Sequence, residues 1–409
     1  MQITNRCFLC GYFSGAQANG RNGEWANGEW TKVNYTDEAR ATLNNYYFPE
    51  FAQCMTDEIK QYTMCIDKPC TLDFGEEKVA FHIDDIRLWE APFGIVIYAV
   101  AVRFEKTEFN DVTRALNALR NCAYYSEIQR PFVQTALAPI IKVYNALQGA
   151  NKGIEGDLSW LVESGNKFKL FQVIQVPDGI EKGDEKLLLY DAGTLAKHTP
   201  HSTGINSPVY IEQILNDHTI SVFAGWSGLA LLDTFTLLSE NTPDWVVKNW
   251  EKDYFEKIYI YQLFRKVFLY SVNLHYRRRI EDVTVLEKRL DEFEQKYSYP
   301  AISYNFLPNI INESIEKSLH TQRDYDQLDK MIGREMEARR DQAEEKTNHF
   351  LTFLTCLTIF SAIYDFASLM NDSFGYESVF PSDYFGFRFV STILLLIVIV
   401  FYIILSRRK

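Results

Sequence analysis

The chain has 409 residues, a formal net charge of −12 and 47% hydrophobic residues. That acidic balance excludes a surface built for bulk nucleic acid, which needs Lys and Arg concentrated against phosphate. Several hundred residues precede the first long apolar run, enough for a sizeable core.

The first 70 residues are rich in Gly, Asn and aromatics, with Asn-Gly-Glu-Trp occurring twice, ending at Trp25 and Trp30. Copies so close together suggest a strand-turn-strand element or a loop, not a repeat architecture. Strand patterns follow at 79–89 and 94–104, then helix patterns at 111–125 and 127–147. Further strands are expected at 168–176, 186–190, 220–224 and 229–238, so residues 1–243 read as an α/β or α+β cytosolic sensor domain. After Asp244 the pattern turns helical. An aromatic stripe (Trp245, Trp250, Tyr254, Ile258, Tyr261) and a charged helix make a pair over 244–300. Apolar residues at three-and-four spacing then predict a stalk helix, its cytosolic part over 301–347, running unbroken from about Asn309.

Two apolar stretches close the chain, 349–370 and 387–405, each long enough to cross a ~30 Å hydrocarbon core. They predict a first transmembrane helix at 348–370, an extracytoplasmic loop at 371–386, a second transmembrane helix at 387–406 and a basic tail at 407–409. Basic residues flank the pair, and the loop is acidic, which places both termini in the cytoplasm. No basic-then-apolar start suggests a signal peptide. Asp365 is an intramembrane ionisable group under this reading, and such a group belongs against protein or water.

Seven cysteines, at 7, 10, 54, 65, 70, 122 and 356, read as free thiols in a reducing compartment. Cys7 and Cys10 have the spacing of half a zinc knuckle, with Cys65/Cys70 or His198/His201 as further pairs. The spacings do not match each other, and buried or idle thiols are the better reading. Arg277, Arg278 and Arg279 form the densest basic cluster, able to meet phosphate by bidentate contacts, though a solvated helix face is the blander reading. His198, His201 and Trp226 are weaker ligand-site candidates. Acidic pairs (Asp84-Asp85, Asp324/Asp326, Glu344-Glu345) offer a place for a regulatory divalent cation. No phosphate-binding glycine loop and no nucleophile–base set stands out, so no enzyme activity is expected.

The order of α/β domain, helical pair, long stalk, two spans and basic tail resembles the CorA metal-ion transporter family. Leu369-Met370-Asn371 occupies the place of that family's Gly-Met-Asn signature. The resemblance covers 244–409 in architecture and only the class of fold before that. It implies a homopentamer in a bacterial or archaeal inner membrane. Met370, Asn371 and Leu369 would form the pore mouth, with Asn348, Thr355, Ile359, Ala362 and Phe366 lining the pore. Leu369 in place of Gly departs from the pattern and puts Mg²⁺ selectivity in doubt. Divergent members accompany type III CRISPR systems, which suggests an ion channel gated by a nucleotide-type second messenger in antiviral defence. The alternatives are a housekeeping Mg²⁺ or other divalent-cation transporter gated by intracellular metal, and a membrane-anchored scaffold without a pore. No cofactor is required by any of these; Mg²⁺ enters as a transported or regulatory ion.

Overall fold

A computed structural model describes residues 1–14, 28–155, 157–162, 167–177, 182–223, 225–240 and 242–374. The first Asn-Gly-Glu-Trp copy lies outside them. The chain divides into two units, Met1–Lys330 and Met331–Lys409.

The first unit is built on a nine-stranded mixed sheet in the order β2-β3-β4-β5-β1-β6-β9-β8-β7. Its strands are β1 Gln2–Ser14, β2 Thr31–Lys32, β3 Lys60–Asp73, β4 Lys78–Ala91, β5 Ile95–Glu108, β6 Lys169–Val176, β7 Thr219–Ile220, β8 Trp226–Ala230 and β9 Thr234–Glu240. All neighbours pair antiparallel except β6 and β9, which run parallel in the register Leu170↔Thr234. The α/β expectation therefore holds for this unit.

Successive side chains of a strand point to opposite faces, and β1 shows how each face is covered. Cys7 and Leu9 join a core with Leu116 and Leu119 of α3 (Phe109–Arg120) and with Ile140 of α5 (Ala138–Gln148). Leu188 of α6 (Lys182–Thr194) belongs to the same core. Phe8 turns the other way and stacks on Phe255 at 3.9 Å between ring centroids. Phe255 belongs to a continuous helical run: α8 (Asp244–Asn249), a π-helical stretch Trp250–Tyr259, and α9 (Ile260–Arg278). Trp89, Phe171 and Phe235 fill in around Phe255 and Tyr259. The remaining helices are α1 Asp37–Tyr46, α2 Pro49–Gln53, α4 Arg130–Phe132, α7 Pro208–His218, α10 Val283–Tyr297, α11 Phe306–Leu319 and α12 Thr321–Phe374.

Several expectations are corrected. The 186–190 segment is helix, inside α6, where Leu188, Leu189 and Tyr190 are buried as part of a helical turn in place of one strand face. The 229–238 segment is two strands, with the turn at Leu231–Asp233 between β8 and β9. β1 and most of β3 fall within the first 70 residues, for which only a strand-turn-strand element or a loop around the repeated motif is expected. The stalk does not run unbroken from Asn309: His320 adopts a left-handed conformation (φ 57°), ends α11 and precedes α12. Such a cap is common at helix ends.

The transmembrane hairpin is overturned as well. Among the described residues no helix is long and apolar enough to cross a membrane. Residues 348–370 do lie in α12, but Thr352, Thr355, Thr358, Ser361 and an exposed Asp365 dilute the apolar positions. The expected loop begins as helix, since α12 continues to Phe374; residues 375–409, with the second expected span and the basic tail, lie outside the described residues. The transmembrane ion-channel reading and the multi-pass inner-membrane placement lose their footing with this correction.

Candidate functional site

The expected pore residues all fall on α12. Asn348, Thr355, Ile359, Ala362, Asp365, Phe366 and Leu369 are exposed along it, while the side chains of Met370 and Asn371 lie outside the described set. The Arg277–Arg279 cluster is exposed at the end of α9. Arg277 Nε donates to Asn273 Oδ1 at 2.9 Å, and the Arg279 guanidinium sits 5.5 Å from the Tyr276 ring centre. Cations at a helix C-terminus complement its dipole, which favours basic residues at this position.

The zinc candidates do not converge. Cys7 and Cys10 are three residues apart on one strand and so face opposite sides of the sheet, while β3, which carries Cys65 and Cys70, is separated from β1 by β4 and β5. Burial pushes the Cys7 and Cys10 thiols far up, away from the thiolate that zinc needs. His198 Nδ1 lies 2.8 Å from Asp191 Oδ2, and His201 Nδ1 lies 3.4 Å from Asp184. Each imidazole has its own carboxylate. Among the described residues no group of three His, Cys, Asp or Glu could hold a metal ion. Trp226 is a buried packing residue, 5.4 Å from the Trp250 ring.

What the fold does assemble is a buried charged joint between the sheet and the π-helical stretch. Arg87 of β4, its side chain 8% exposed, donates from Nε to Asp85 Oδ1 at 2.8 Å and from Nη1 to Glu256 Oε1 at 2.6 Å. Its Nη2 also reaches Glu251. Burial works against the guanidinium charge, but Glu256, Asp85 and Glu251 outweigh it and hold its pKa above the ordinary value. Arg6 of β1 contacts Glu251 at 3.1 Å, and Arg103 of β5 contacts Asp84 at 3.2 Å. His82 Nδ1 lies 3.0 Å from the same Asp84 oxygen. Both Arg6 and Arg87 sit over the Phe8 ring, at 5.8 and 5.1 Å from its centre. One turn on, buried Lys257 donates to the Tyr35 hydroxyl, and Tyr35 donates to Gln61. Asp253, on the same π-helical stretch, has its carboxyl raised above the usual range by burial, with Glu256 adding to the effect and Lys257 opposing it. π-helical turns are rare and concentrate at functional sites.

A second charged neighbourhood lies where β6, β9 and several helix ends meet. Lys169 Nζ, at the start of β6, contacts Asp233 Oδ1 at 2.8 Å, and Arg120 at the end of α3 reaches the same carboxylate at 3.9 Å. Lys266 of α9 pairs with Asp324 in the first turn of α12 at 2.5 Å. Lys317 of α11 donates to the carbonyl of Asp217 at 3.0 Å. Burial lowers the His320 pKa, and Arg323, Lys266 and His218 lower it further against Asp324. Burial lowers Lys169 too, with Lys266 and Arg120 adding to the effect against Asp233. His218 is lowered by burial and then by Lys317.

Of the acidic pairs expected to meet a divalent cation, Asp84 is partnered with Arg103 and His82, Asp85 with Arg87, and Asp324 with Lys266; Asp326 accepts from Gln322 and Glu345 lies 3.6 Å from His349. Sequence reasoning named Asp84-Asp85 but missed Arg87, Glu251 and Glu256, whose partners are more than 160 residues away. No known family model matches the chain, and no curated protein is similar enough in sequence to count as a match.

Proposed function

We propose that the chain acts by binding and not by catalysis: its first unit senses a small nucleotide-type ligand and answers by a shift at the charged joint between sheet and helix. The observation that carries this is the Arg87 cluster. A helix held to a sheet by oil alone is fixed, but a desolvated ion cluster stands near balance, because burial costs nearly as much as pairing returns. A ligand that binds the two arrangements of such a joint differently tips it with a few kcal/mol. This reading does not call on a regulatory divalent cation, and Asp84, Asp85 and Asp324 are held by Arg and Lys side chains.

Hydrogen exchange of the full chain, with and without a panel of mononucleotides and cyclic or linear oligonucleotide messengers, tests the proposal. At least one should change protection at Trp250–Tyr259; unchanged exchange there with a ligand that demonstrably binds removes the reading. A second, compatible reading is self-association through the second unit. Phe350, Leu351, Leu354, Ile359, Phe366 and Leu369 are exposed apolar residues on a helix, and such a stripe is usually buried in a bundle. Light scattering behind size exclusion reads the copy number, for which five is the expectation from family resemblance. A monomer at micromolar concentration would end that part.

A further inference from the structure

We propose that residues 31–46 form a strap held shut over the charged joint by Tyr35, whose phenol occupies the place beside Lys257 that a ligand's acceptor group would take. The latch is a matter of geometry; its use as a guard rests on, and deepens, the ligand-sensing reading above.

Lys257, on the π-helical stretch, is a buried cation with an uncommon partner. The residue is 5% exposed, and its ammonium donates to the Tyr35 hydroxyl. The Tyr35 ring centre lies 4.5 Å from that ammonium, a cation–π distance, and the hydroxyl donates to buried Gln61 at 3.3 Å. Buried charges are ordinarily paired with opposite charge. Arg87 of β4 has three carboxylates, whereas Lys257 has a neutral phenol. Asp253 lies one turn back on the same stretch, but no ion pair joins the two among the described residues. A hydrogen bond to an anion is stronger than one to a phenol, so Lys257 keeps charge to offer an acceptor that displaces Tyr35.

What holds Tyr35 in place is light. α1, which follows it, has no fully buried side chain. The helix is tied by Arg40, which meets Asp57 at 2.6 Å and Thr56 at 3.3 Å, with the Arg40 and Asp57 side chains 38% and 42% exposed. Ion pairs this exposed stabilise little. Ahead of Tyr35, β2 adds two residue pairs to the edge of β3, and the Val33 N–H donates to the Gln61 carbonyl at 2.9 Å. The far end is firmer. Tyr47 is 2% exposed, Ser303 Oγ donates to the Tyr46 carbonyl, and the Phe48 N–H donates to the Ile302 carbonyl at 3.0 Å. A segment with few buried contacts opens locally at far less than the global cost. The strap therefore swings on 46–48, and Tyr35 is the contact that shuts it.

Acetylation of the full chain by N-hydroxysuccinimidyl acetate, followed lysine by lysine with peptide mass spectrometry, is the test. Lys78, largely exposed, reports the reagent, and Lys169, 16% exposed and paired with Asp233, reports opening of the whole first unit. In the wild type Lys257 should react far more slowly than Lys78. Tyr35→Ala should raise the Lys257 rate roughly tenfold or more, the value of one charge-assisted hydrogen bond, and leave Lys169 unchanged. Tyr35→Phe, which keeps the ring, should give a smaller rise. Arg40→Gln, at a half-exposed position where folding is not at risk, should raise the rate severalfold without touching Lys257. A Lys257 rate that stays at the wild-type value in all three variants overturns the latch. So does a rise at Lys257 matched by one at Lys169 in Arg40→Gln, since the strap would then open only with the whole unit. If the variants behave as expected but no ligand changes exchange at Trp250–Tyr259, the latch stands and the sensing joint falls. If Lys257 does not respond while a ligand does change that exchange, the sensing joint stands and the latch falls.

Discussion

Replacing Arg87 with Met keeps most of the side-chain volume and removes the charge. Three carboxylates, Asp85, Glu251 and Glu256, then lose their principal cation; their side chains are only 18%, 10% and 17% exposed, so water cannot replace it fully. Arg6 still reaches Glu251 at 3.1 Å, which leaves Asp85 and Glu256 the more exposed to the loss. Removing one partner of a buried ion cluster costs about 3–5 kcal/mol. For a chain of this size that corresponds to a fall in Tm of roughly 3–6 °C. The comparison is Lys78→Met, whose 2.9 Å pair with Asp73 is more than half exposed on both sides, so its loss should leave the melt nearly unchanged. The pH dependence gives a second check. Orphaned, desolvated carboxyls have folded pKa values raised above their unfolded ones, so the Arg87→Met penalty is greatest at neutral pH and shrinks as acid protonates them. Thermal melts of wild type and both variants at pH 7 and pH 5 measure this. A loss below about 1 kcal/mol at pH 7, or one that grows on acidification, refutes the argument.

Asp253→Asn should stabilise the protein at neutral pH. The Asp253 carboxyl is raised by burial, so its contribution is favourable when protonated and is lost as pH rises from the unfolded pKa through the folded one. The Tm gain over wild type should vanish toward pH 4, and a loss at pH 7 would mean that Lys257 holds the charge in place after all. Gly11→Ala should destabilise by about 1–3 kcal/mol, read from a urea titration. Its added Cβ would lie 2.3 Å from the hydroxyl oxygen of Tyr98, which is fully buried and donates to the Leu161 carbonyl at 3.2 Å. Wild-type stability there would show that the Tyr98 ring can shift. His218 and His320 both have lowered pKa values, so the fold favours their neutral forms and loses stability as pH falls through about 6.5, the unfolded value. His320→Asn, which also suits the left-handed cap, should flatten that decline in melts between pH 7.5 and 5.5.

Much of the sheet was legible, because β4 and β5 are long and rich in alternating and β-branched residues. β1 and β3 escaped because Cys, Gly, Asn and Gln interrupt their apolar runs. α6 was misread because Leu187–Tyr190 is a short apolar run, and such runs do not separate strand from buried helix. The break at His320 had only one local signal, a His followed by Thr, both of which suit helix ends. The first-span expectation failed at the opposite scale: 349–370 is long and apolar overall, but hydroxyl groups recur along 352–361.

The charged joint was the least legible feature, yet one trace of it stood in the sequence. The stretch Val79–Trp89 alternates only in part, and the place where it stops is Asp84-Asp85. In the structure the β4–β5 register shifts there, Ile83 opposing Val102 and Asp85 opposing Ala101, so Asp84 is the extra residue of a bulge. A bulge exchanges the faces of everything after it. Before it, Val79, Phe81 and Ile83 enter the core under α3; after it, Ile86 and Leu88 do. Without Asp84, Ile86 would turn toward the π-helical stretch and Arg87 into oil. The one inserted acid therefore keeps the core continuous and delivers Arg87 to Glu251 and Glu256. It also supplies the partner for Arg103 and His82. Local pattern encodes that a strand is interrupted, but the reason lies in a helix that begins more than 150 residues later.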